Sequence, residues 1–454
     1  MNNKLERFND TLKQSNIAVI GLGVSNIPLV DYLYNLGCNV TVFNSKILDE
    51  ELIDKLNKYN YKYFMGEDYL DNLINFDIIF RSPSCLPTNK KIVKEKERGA
   101  IVTSEIKEVL RLSNSKIIGV TGSDGKTTTT TLINEILKAN GYNTFLGGNI
   151  GIPLFDKIDK MTSDDIVVLE LSSFQLMDMD ISPDISIITN IEQNHLDIHS
   201  SFEEYISAKE NIYKYQDKSG ILVTNYDNNI TNKFKGNGIT RYFSSKTQIE
   251  NGFYTDGKYI YYKNKKIIDT KNIKLRGVHN YVNICTALSA IIDLIDLEKS
   301  IDVITNFNGV EHRLELVREI NNVKWYNDSV SSSPTRTIAG LNSFEEDIVL
   351  IAGGYDKNLD YSNIAKPILD KVVKLILLGN TKEKIYKAVT ELNKKVNKNI
   401  DIYICDSLSE AVNKAYEVSK EGEIVLFSPA SASFDMFKNF ADRGNQFKDL
   451  VNKL

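Results

Sequence analysis

The sequence predicts an α/β protein of three domains, each built on a largely parallel sheet. Three observations carry that prediction. At 454 residues the chain is too long for one hydrophobic core and corresponds in length to about three domains. Short aliphatic, β-branched runs alternate with stretches of helical period, both near the start of the chain and again toward its end. Between these two regions, Lys116 to Thr131 reads as strand, small-residue loop and helix.

In the first domain, expected over residues 1–105, strands are predicted at Ile17-Ala-Val-Ile20, Val40-Thr-Val-Phe43 and Ile78-Ile-Phe80. Helices are predicted to about Leu36, from Glu50 to Leu56 and from Lys91 to Glu97. Strands separated by helices pair in parallel, because the crossover returns the chain to the same end of the sheet. The turn after the first strand, Gly21-Leu-Gly23-Val-Ser-Asn26, is Rossmann-like, with Asn where the third glycine usually stands. Two glycines still let a pyrophosphate approach a helix N-terminus. Where a dinucleotide fold places an acid for the ribose, the sequence has Asn44-Ser-Lys46, which weakens a NAD reading and leaves nucleotide site and tight turn both open. Ser82-Pro83-Ser84 ends a further strand, where a doubly wound sheet presents its ligand loops.

The second domain, expected over residues 106–309, contains Lys116-Ile-Ile-Gly-Val-Thr-Gly-Ser-Asp-Gly-Lys-Thr127. Gly122 and Gly125 let backbone N–H groups turn inward around an anion, and the following helix adds the partial positive charge of its N-terminus. Lys126 can reach terminal phosphates, and the Thr127 hydroxyl can bind Mg²⁺. The loop is shorter than a full Walker A, with Val120 at the position of the first glycine; a glycine N-cap beside a solvated lysine is the alternative. Ile166-Val-Val-Leu-Glu-Leu-Ser-Ser-Phe-Gln175 is predicted as one buried strand. A carboxylate inside an apolar run is costly unless paired or metal-bound, so Glu170 is a natural Mg²⁺ partner for Thr127, with a salt-bridged structural glutamate as the alternative. Strand Ile185 to Asn190 leads to a loop bearing His195, and a capping box at Ser201-Phe-Glu-Glu204 opens a helix bearing Lys209. Read alone, these are a hydrogen-bonded histidine and a solvated lysine. Asp256-Gly257 predicts a type I′ hairpin, and Asn280 is expected in the N-cap region of a later helix.

The third domain, expected over residues 310–454, opens with a hairpin turning at Asn321-Asn322. Asn327-Asp-Ser329 and Ser333-Pro334 lead into a helix, and βα alternation resumes with strands at Ile348, Leu375, Ile402 and Ile424.

Composition narrows the function. With 42% hydrophobic and 25% charged residues the chain is an ordinary globular protein. A net charge of −5 gives a nucleic-acid or membrane-surface role no electrostatic support, and no apolar run approaches the roughly 20 residues of a membrane span. The first residues lack the apolar core of a signal peptide, so a cytoplasmic location is expected. Cys38, Cys85, Cys285 and Cys405 form no C-x-x-C pair and are expected as buried thiols.

Taken together, Thr121-Gly-Ser-Asp-Gly-Lys-Thr127, Gly148-Asn-Ile-Gly151, Glu170-Leu-Ser-Ser-Phe-Gln175, Asn190 to Asp197, Ala208-Lys209, His279-Asn280, Glu311-His-Arg313, Asn327-Asp-Ser329 and Ser428 to Asp435 resemble the ATP-dependent Mur ligases of peptidoglycan synthesis over nearly the whole chain. The Leu-Ser-Ser-Phe-Gln block and the tail Ser433 to Asn445 point, within that family, to the members that add D-glutamate; another amino acid, or a folate as acceptor, is the alternative.

The resemblance implies a first domain that binds UDP, a central P-loop ATPase-like domain and a Rossmann-like third domain that binds the amino acid. It implies a cleft where ATP, UDP-N-acetylmuramoyl-L-alanine and D-glutamate meet in a monomer, with no nucleic acid or membrane partner. The carboxylate of the acceptor would be phosphorylated by ATP and the acyl phosphate captured by an amine. By the same resemblance Gly122, Ser123, Asp124, Gly125, Lys126, Thr127, Thr128, Asn280, Arg313 and Asp328 would hold ATP. Thr127 and Glu170 would bind one Mg²⁺ and His195 a second, with Lys209 carbamylated into a carboxylate-like ligand; Lys126, Glu170, His195 and Lys209 are thus the implied catalytic set. Val24, Ser25, Asn44, Ser45, Lys46 and Ser82 would contact the UDP end, and Asn149, Ser172 and Gln175 the muramoyl-alanine arm. Ser332, Lys357, Ser433, Phe434 and Phe440 would form the D-glutamate pocket. Two departures stand out: Val330 where many relatives have Lys, and Asp124 where Asn is frequent.

Overall fold

In the computed structural model, residues 3–193, 198–357, 359–398 and 400–454 are described. Strands β1 (Asn16–Ile20), β2 (Asn39–Asn44), β3 (Lys62–Met65), β4 (Ile78–Arg81) and β5 (Ile101–Thr103) form a parallel sheet in the order β3-β2-β1-β4-β5. The chain winds outward from β1 in one direction and then resumes on its other side with β4. The loops after β1 and β4 therefore flank the topological switch point, where such sheets bind ligands. Ile17 to Ile20 are fully buried, as expected of a strand covered by helices on both faces. The sequence reading overlooked β3, β5 and the helices Asn3–Lys13 and Glu105–Leu112.

The second sheet comprises β6 (Lys116–Thr121), β7 (Thr144–Gly148), β8 (Ile166–Glu170), β9 (Ile185–Ile188), β10 (Ile221–Asn225) and β11 (Ile239–Phe243). All pairs are parallel, in the order β11-β10-β9-β6-β8-β7, which puts β6 between β8 and β9. Strand β8 stops at Glu170, where a longer strand was expected. Ser172 then caps the short helix Ser173–Leu176, its hydroxyl accepting from Gln175 N–H while the Gln175 side chain accepts from Ser172 N–H.

A small antiparallel sheet follows: β12 (Phe253–Thr255), β13 (Tyr259–Tyr262) and β14 (Lys265–Asp269). The expected hairpin is present but its turn is not type I′. Of the two central residues only Gly257 has positive φ, and the Asp256 carboxylate instead accepts from the N–H groups of Lys258 and Tyr259, an Asx turn. Asn280 lies inside the first turn of helix Val278–Ile291, past the expected N-cap position.

The last sheet contains β15 (Glu315–Ile320), β16 (Val323–Asn327), β17 (Ile348–Ala352), β18 (Val372–Leu377), β19 (Asp401–Ile404) and β20 (Ile424–Phe427), ordered β15-β16-β20-β17-β18-β19. Only β15 is antiparallel to its neighbour, joined through Asn321 and Asn322, both at positive φ (50° and 59°) as a type I′ turn requires. Trp325, the chain's single tryptophan, is fully buried in β16, its ring facing Phe447 of the last helix.

Contacts divide the chain into two compact units: one runs to Asn272 and takes in Tyr281–Ile304, the other joins Ile273–Asn280 to Thr305–Leu454. The first unit thus contains two of the large sheets, which share a hydrophobic core. Leu29, Val30 and Leu33 belong to the same cluster as Phe155, Met161 and Leu176. Helix Glu105–Leu112 feeds Ile106, Val109 and Leu110 into that cluster, and the buried Glu105 carboxylate accepts from the N–H groups of Leu154 and Phe155, both at 2.9 Å. All four cysteines are buried free thiols.

Candidate active site

The loop after β6 holds a shape that only glycine permits. Gly122 has φ 146° and Gly125 φ 77°; a Cβ on the first would stand 1.8 Å from Thr189 Oγ1 and one on the second 2.4 Å from Asn283 Oδ1. Gly125 caps helix Lys126–Ala139, whose opening run of threonines is a poor helix former on propensity alone. The loop is braced by the residues that follow β9: Ser123 N–H donates to Asn190 O (3.0 Å), Asp124 N–H to Asn190 Oδ1 (2.9 Å), and the Thr189 hydroxyl to Asp124 O (2.5 Å). Thr127 is half-buried and Thr128 buried in the first helical turn. A glycine-dictated loop at a helix N-terminus is an arrangement that can seat an anion.

Lys126 donates to the carbonyls of Gly122 and Ser123, at 2.9 Å each. Lys209, expected as a solvated lysine when read alone, is instead 2% exposed, and its Nζ donates to the same Gly122 carbonyl (2.9 Å) and to Thr121 Oγ1 (3.2 Å). It comes from helix Phe202–Lys214, started by the Ser201 hydroxyl accepting from Glu204 N–H. The Glu204 carboxylate turns to Ser200 N–H and hydroxyl, so the reciprocal half of the expected box is displaced by one residue. Burial, and next the Lys126 charge, push the Lys209 amine well below the ordinary lysine value, with Glu170 and Asp124 acting the other way.

Glu170 ends β8 directly opposite Val120 of β6 and is buried. Its Oε1 accepts from Asn149 Nδ2 at 2.6 Å, whereas Oε2 has no hydrogen-bond partner among the described residues. The structural-glutamate alternative required a salt bridge, and none involves Glu170 among the described residues. An orphaned buried carboxylate oxygen fits a divalent cation. No group of three or more His, Cys, Asp and Glu gathers for a metal among the described residues, so a cation here would fill its shell from hydroxyl, water and phosphate oxygens, which suits Mg²⁺. His195 lies outside the described residues.

At the switch point of the first sheet, Gly21 approaches Ser82 so closely that a Cβ would stand 2.2 Å from its hydroxyl. Ser82 shares a hydrogen bond with Ser84 (2.9 Å). Asn44 accepts from Leu22 N–H (2.9 Å) and donates to Lys46 O (2.7 Å), which folds the second loop against the first. Val24, Ser45 and Lys46 are exposed and Ser25 half-buried. Asn26 explains the altered third position: it is buried, and its Nδ2 donates to the carbonyls of Ile20 and Gly21, so the side chain braces the turn from within.

In the second unit, Asp328 is buried and accepts from Ser428 Oγ (2.7 Å) and Leu314 N–H (3.3 Å). Burial pushes its carboxyl up to about 6, against the hydrogen bonds from Ser331 and Ser428 and the charge of Arg313. Asn280 Nδ2 donates to Arg276 O at 2.6 Å. Lys357 is exposed with its ammonium 5.6 Å from the centre of the Phe434 ring, which also meets Tyr355 edge-on. Ser433 is buried, its carbonyl accepting from Met436 and Phe437 N–H, and Ser332 is half-buried, in neither sheet nor helix. Phe440 is exposed, its ring edge-on to that of His312.

Two residues escaped the sequence reading. His199 is buried, its Nε2 at 3.0 Å from Ser173 Oγ and its ring stacked on Phe174, which ties the loop before the Lys209 helix to the Ser172 cap. Arg443, quoted only as part of a motif, is buried and donates to Ser329 Oγ and O and to the carbonyls of Ser431 and Ala432, binding two loops to the last helix. The helix also carries Asp442, Lys448, Asp449 and Lys453, so nothing in its sequence sets Arg443 apart.

Three family models match successive stretches: "Mur ligase MurD-like, N-terminal domain" over residues 15–104, "Mur ligase middle domain" over 120–291 and "Mur ligase, glutamate ligase domain" over 312–431. The chain is 48% identical to the UDP-N-acetylmuramoylalanine--D-glutamate ligases of Clostridium kluyveri and Acetivibrio thermocellus and 46% identical to one from Clostridium botulinum, with 100% of both chains covered in every case. Among solved structures it is similar to UDP-N-acetylmuramate-alanine ligase from Thermotoga maritima (21% identity, TM-score 0.62) and to a pseudomurein peptide ligase type C from Methanothermus fervidus (19%, TM-score 0.56). Each alignment covers 97% of this chain and 99% of the other, and shows a shared fold.

Proposed function

The chain belongs to the Mur ligase family, and from that premise we propose that it joins D-glutamate to UDP-N-acetylmuramoyl-L-alanine, driven by cleavage of ATP to ADP and phosphate, in the synthesis of peptidoglycan precursors. The observation that carries the reading is the unpartnered oxygen of Glu170 opposite the strand that runs into the phosphate loop.

A carboxylate is a poor electrophile until it is phosphorylated, and its attack on the γ-phosphate brings two anions together. The N–H groups at the start of helix Lys126–Ala139 cradle the phosphates, beside Ser123 and Asp124, whose own N–H groups are taken by Asn190, and Lys126 leaves its loop carbonyls to neutralise the transferred group. Thr127 and Glu170 would hold Mg²⁺, with His195 and a carbamylated Lys209 at a second ion. Bound there, the metal supplies positive charge against the phosphate oxygens. Lowering the Lys209 amine raises its share of the neutral form that CO₂ reacts with, which supports the carbamate. Asn280, Arg313 and Asp328 bind the rest of ATP.

Val24, Ser25, Asn44, Ser45, Lys46 and Ser82 hold the UDP end, and Asn149, Ser172 and Gln175 the muramoyl-alanine arm. Ser332, Lys357, Ser433, Phe434 and Phe440 receive D-glutamate, Lys357 pairing with a carboxylate. The amine attacks the acyl carbonyl, the C–N bond forms, and phosphate leaves. Domain limits at residues 105 and 309, a monomeric enzyme and a cytoplasmic location complete the reading; no helix among the described residues is long and apolar enough to cross a membrane.

The test is incubation with ATP and the UDP-sugar, with and without D-glutamate. Phosphate release that depends on D-glutamate, with a product heavier by one glutamyl residue, is expected. Equal use of another amino acid would overturn the assignment of the substrate.

A further inference from the structure

Arg81 ends β4, is 1% exposed and has no role in the reading above. Its guanidinium is shared between two segments far apart in sequence. Nη1 donates to the carbonyls of Ser82 and Cys85, at 3.4 and 3.3 Å, within its own loop. Nε donates to Asp178 Oδ2 at 3.0 Å, and Nη2 donates to the other oxygen of that carboxylate and to Phe174 O at 3.2 Å. Lys107 seconds the contact, its Nζ donating to Asp178 O at 2.9 Å and pairing with Asp180. A buried guanidinium is tolerated when its donors are all used, and five acceptors are arranged around this one.

The two segments are those proposed to bind opposite parts of the same substrate. Ser82, the residue after Arg81, belongs to the UDP end; Phe174 lies between Ser172 and Gln175, which belong to the muramoyl-alanine arm. We infer that Arg81 is a positioning residue for the acceptor substrate: through Asp178 and Phe174 it fixes the spacing between the loop that holds the nucleotide end and the short helix that holds the reacting arm. The inference rests on the proposed substrate. Its physical content is that binding at one end places the other end for reaction, so that affinity for the nucleotide moiety is converted into alignment of the carboxylate.

The experiment compares the whole enzyme with Arg81→Met, Arg81→Lys and Asp178→Asn, measuring calorimetric affinity for UDP alone and for UDP-N-acetylmuramoyl-L-alanine, together with kcat/KM. The Arg81 variants also release the Ser82 and Cys85 carbonyls, so the decisive variant for UDP is Asp178→Asn, which keeps those contacts and should bind UDP alone as the wild type does. The full substrate should bind roughly tenfold more weakly, and kcat/KM for it should fall roughly 10- to 100-fold with KM for ATP unchanged. Arg81→Lys should resemble Arg81→Met, because a single ammonium cannot span both segments. Asp178→Asn keeps the carbonyl contacts and serves if the Arg81 variants fail to fold. Equal weakening of UDP and of the full substrate, or no change in either, overturns the inference. A wild-type enzyme that binds the UDP-sugar but makes no amide with D-glutamate overturns the proposed function instead.

Discussion

Lys126 and Lys209 share one acceptor, the carbonyl oxygen of Gly122, each with its Nζ 2.9 Å away. Burial first, and then the charge of Lys126, lower the Lys209 amine, so it is the member of the pair that yields its proton more readily. The loop after β6 thereby places the two lysines side by side.

Lys209→Ala should lower kcat at least 100-fold, and acetate or formate should restore part of the loss by supplying carboxylate oxygens. In the wild type, ¹³C-labelled bicarbonate should give a carbamate resonance that strengthens as pH rises, since CO₂ reacts with the neutral amine. A variant with undiminished activity would remove Lys209 from the site.

Glu170→Gln preserves shape and can keep the hydrogen bond from Asn149, yet removes the charge. Turnover should fall roughly 10²- to 10³-fold. The thermal midpoint should be no lower than that of the wild type, because the wild-type carboxylate oxygen is buried without a hydrogen-bond partner among the described residues. A clear drop in midpoint would make Glu170 a structural residue.

Asp328 titrates at about 6 in the fold against an ordinary 3.8. The folded state therefore holds this proton more tightly than the unfolded chain. The associated stability is fully present below about pH 4 and is lost as pH rises through about 6, and at roughly 1.4 kcal/mol per unit it amounts to about 3 kcal/mol at most. Asp328→Asn removes the titration, so the variant should gain on the wild type between about pH 4 and pH 7 in urea unfolding. A difference independent of pH would contradict the shift.

Lys357→Ala should raise KM for D-glutamate roughly tenfold or more while leaving KM for ATP within about twofold, as expected for the loss of one charged hydrogen bond to a carboxylate. Steady-state kinetics with each substrate varied in turn provides the check, and equal effects would place Lys357 outside the amino-acid pocket.

The sheets were legible because parallel strands buried on both faces leave continuous aliphatic runs, as at Ile166 to Leu169 and Ile348 to Ala352. Elements with weaker patterns were missed: β3 is partly exposed, and β5 is three residues long. Strand β8 was drawn too long because Ser172 and Gln175 carry no periodicity of their own, and their reciprocal cap becomes visible only when the chain turns. The phosphate loop was readable from its glycines. The burial of Lys209 was not, since the face of a helix that meets a neighbouring loop depends on packing between distant segments. Arg81 and Asp178, 97 positions apart, show the same limit.

The solitary indole of this chain, that of Trp325, is sealed inside the last sheet. Its emission is consequently a private gauge of the second compact unit, and melting of the first would pass unseen in tryptophan fluorescence. Far-ultraviolet dichroism sums over the helices of both. Midpoints that separate between these two signals would reveal two independent melting events, and midpoints that coincide would show the molecule coming apart as one.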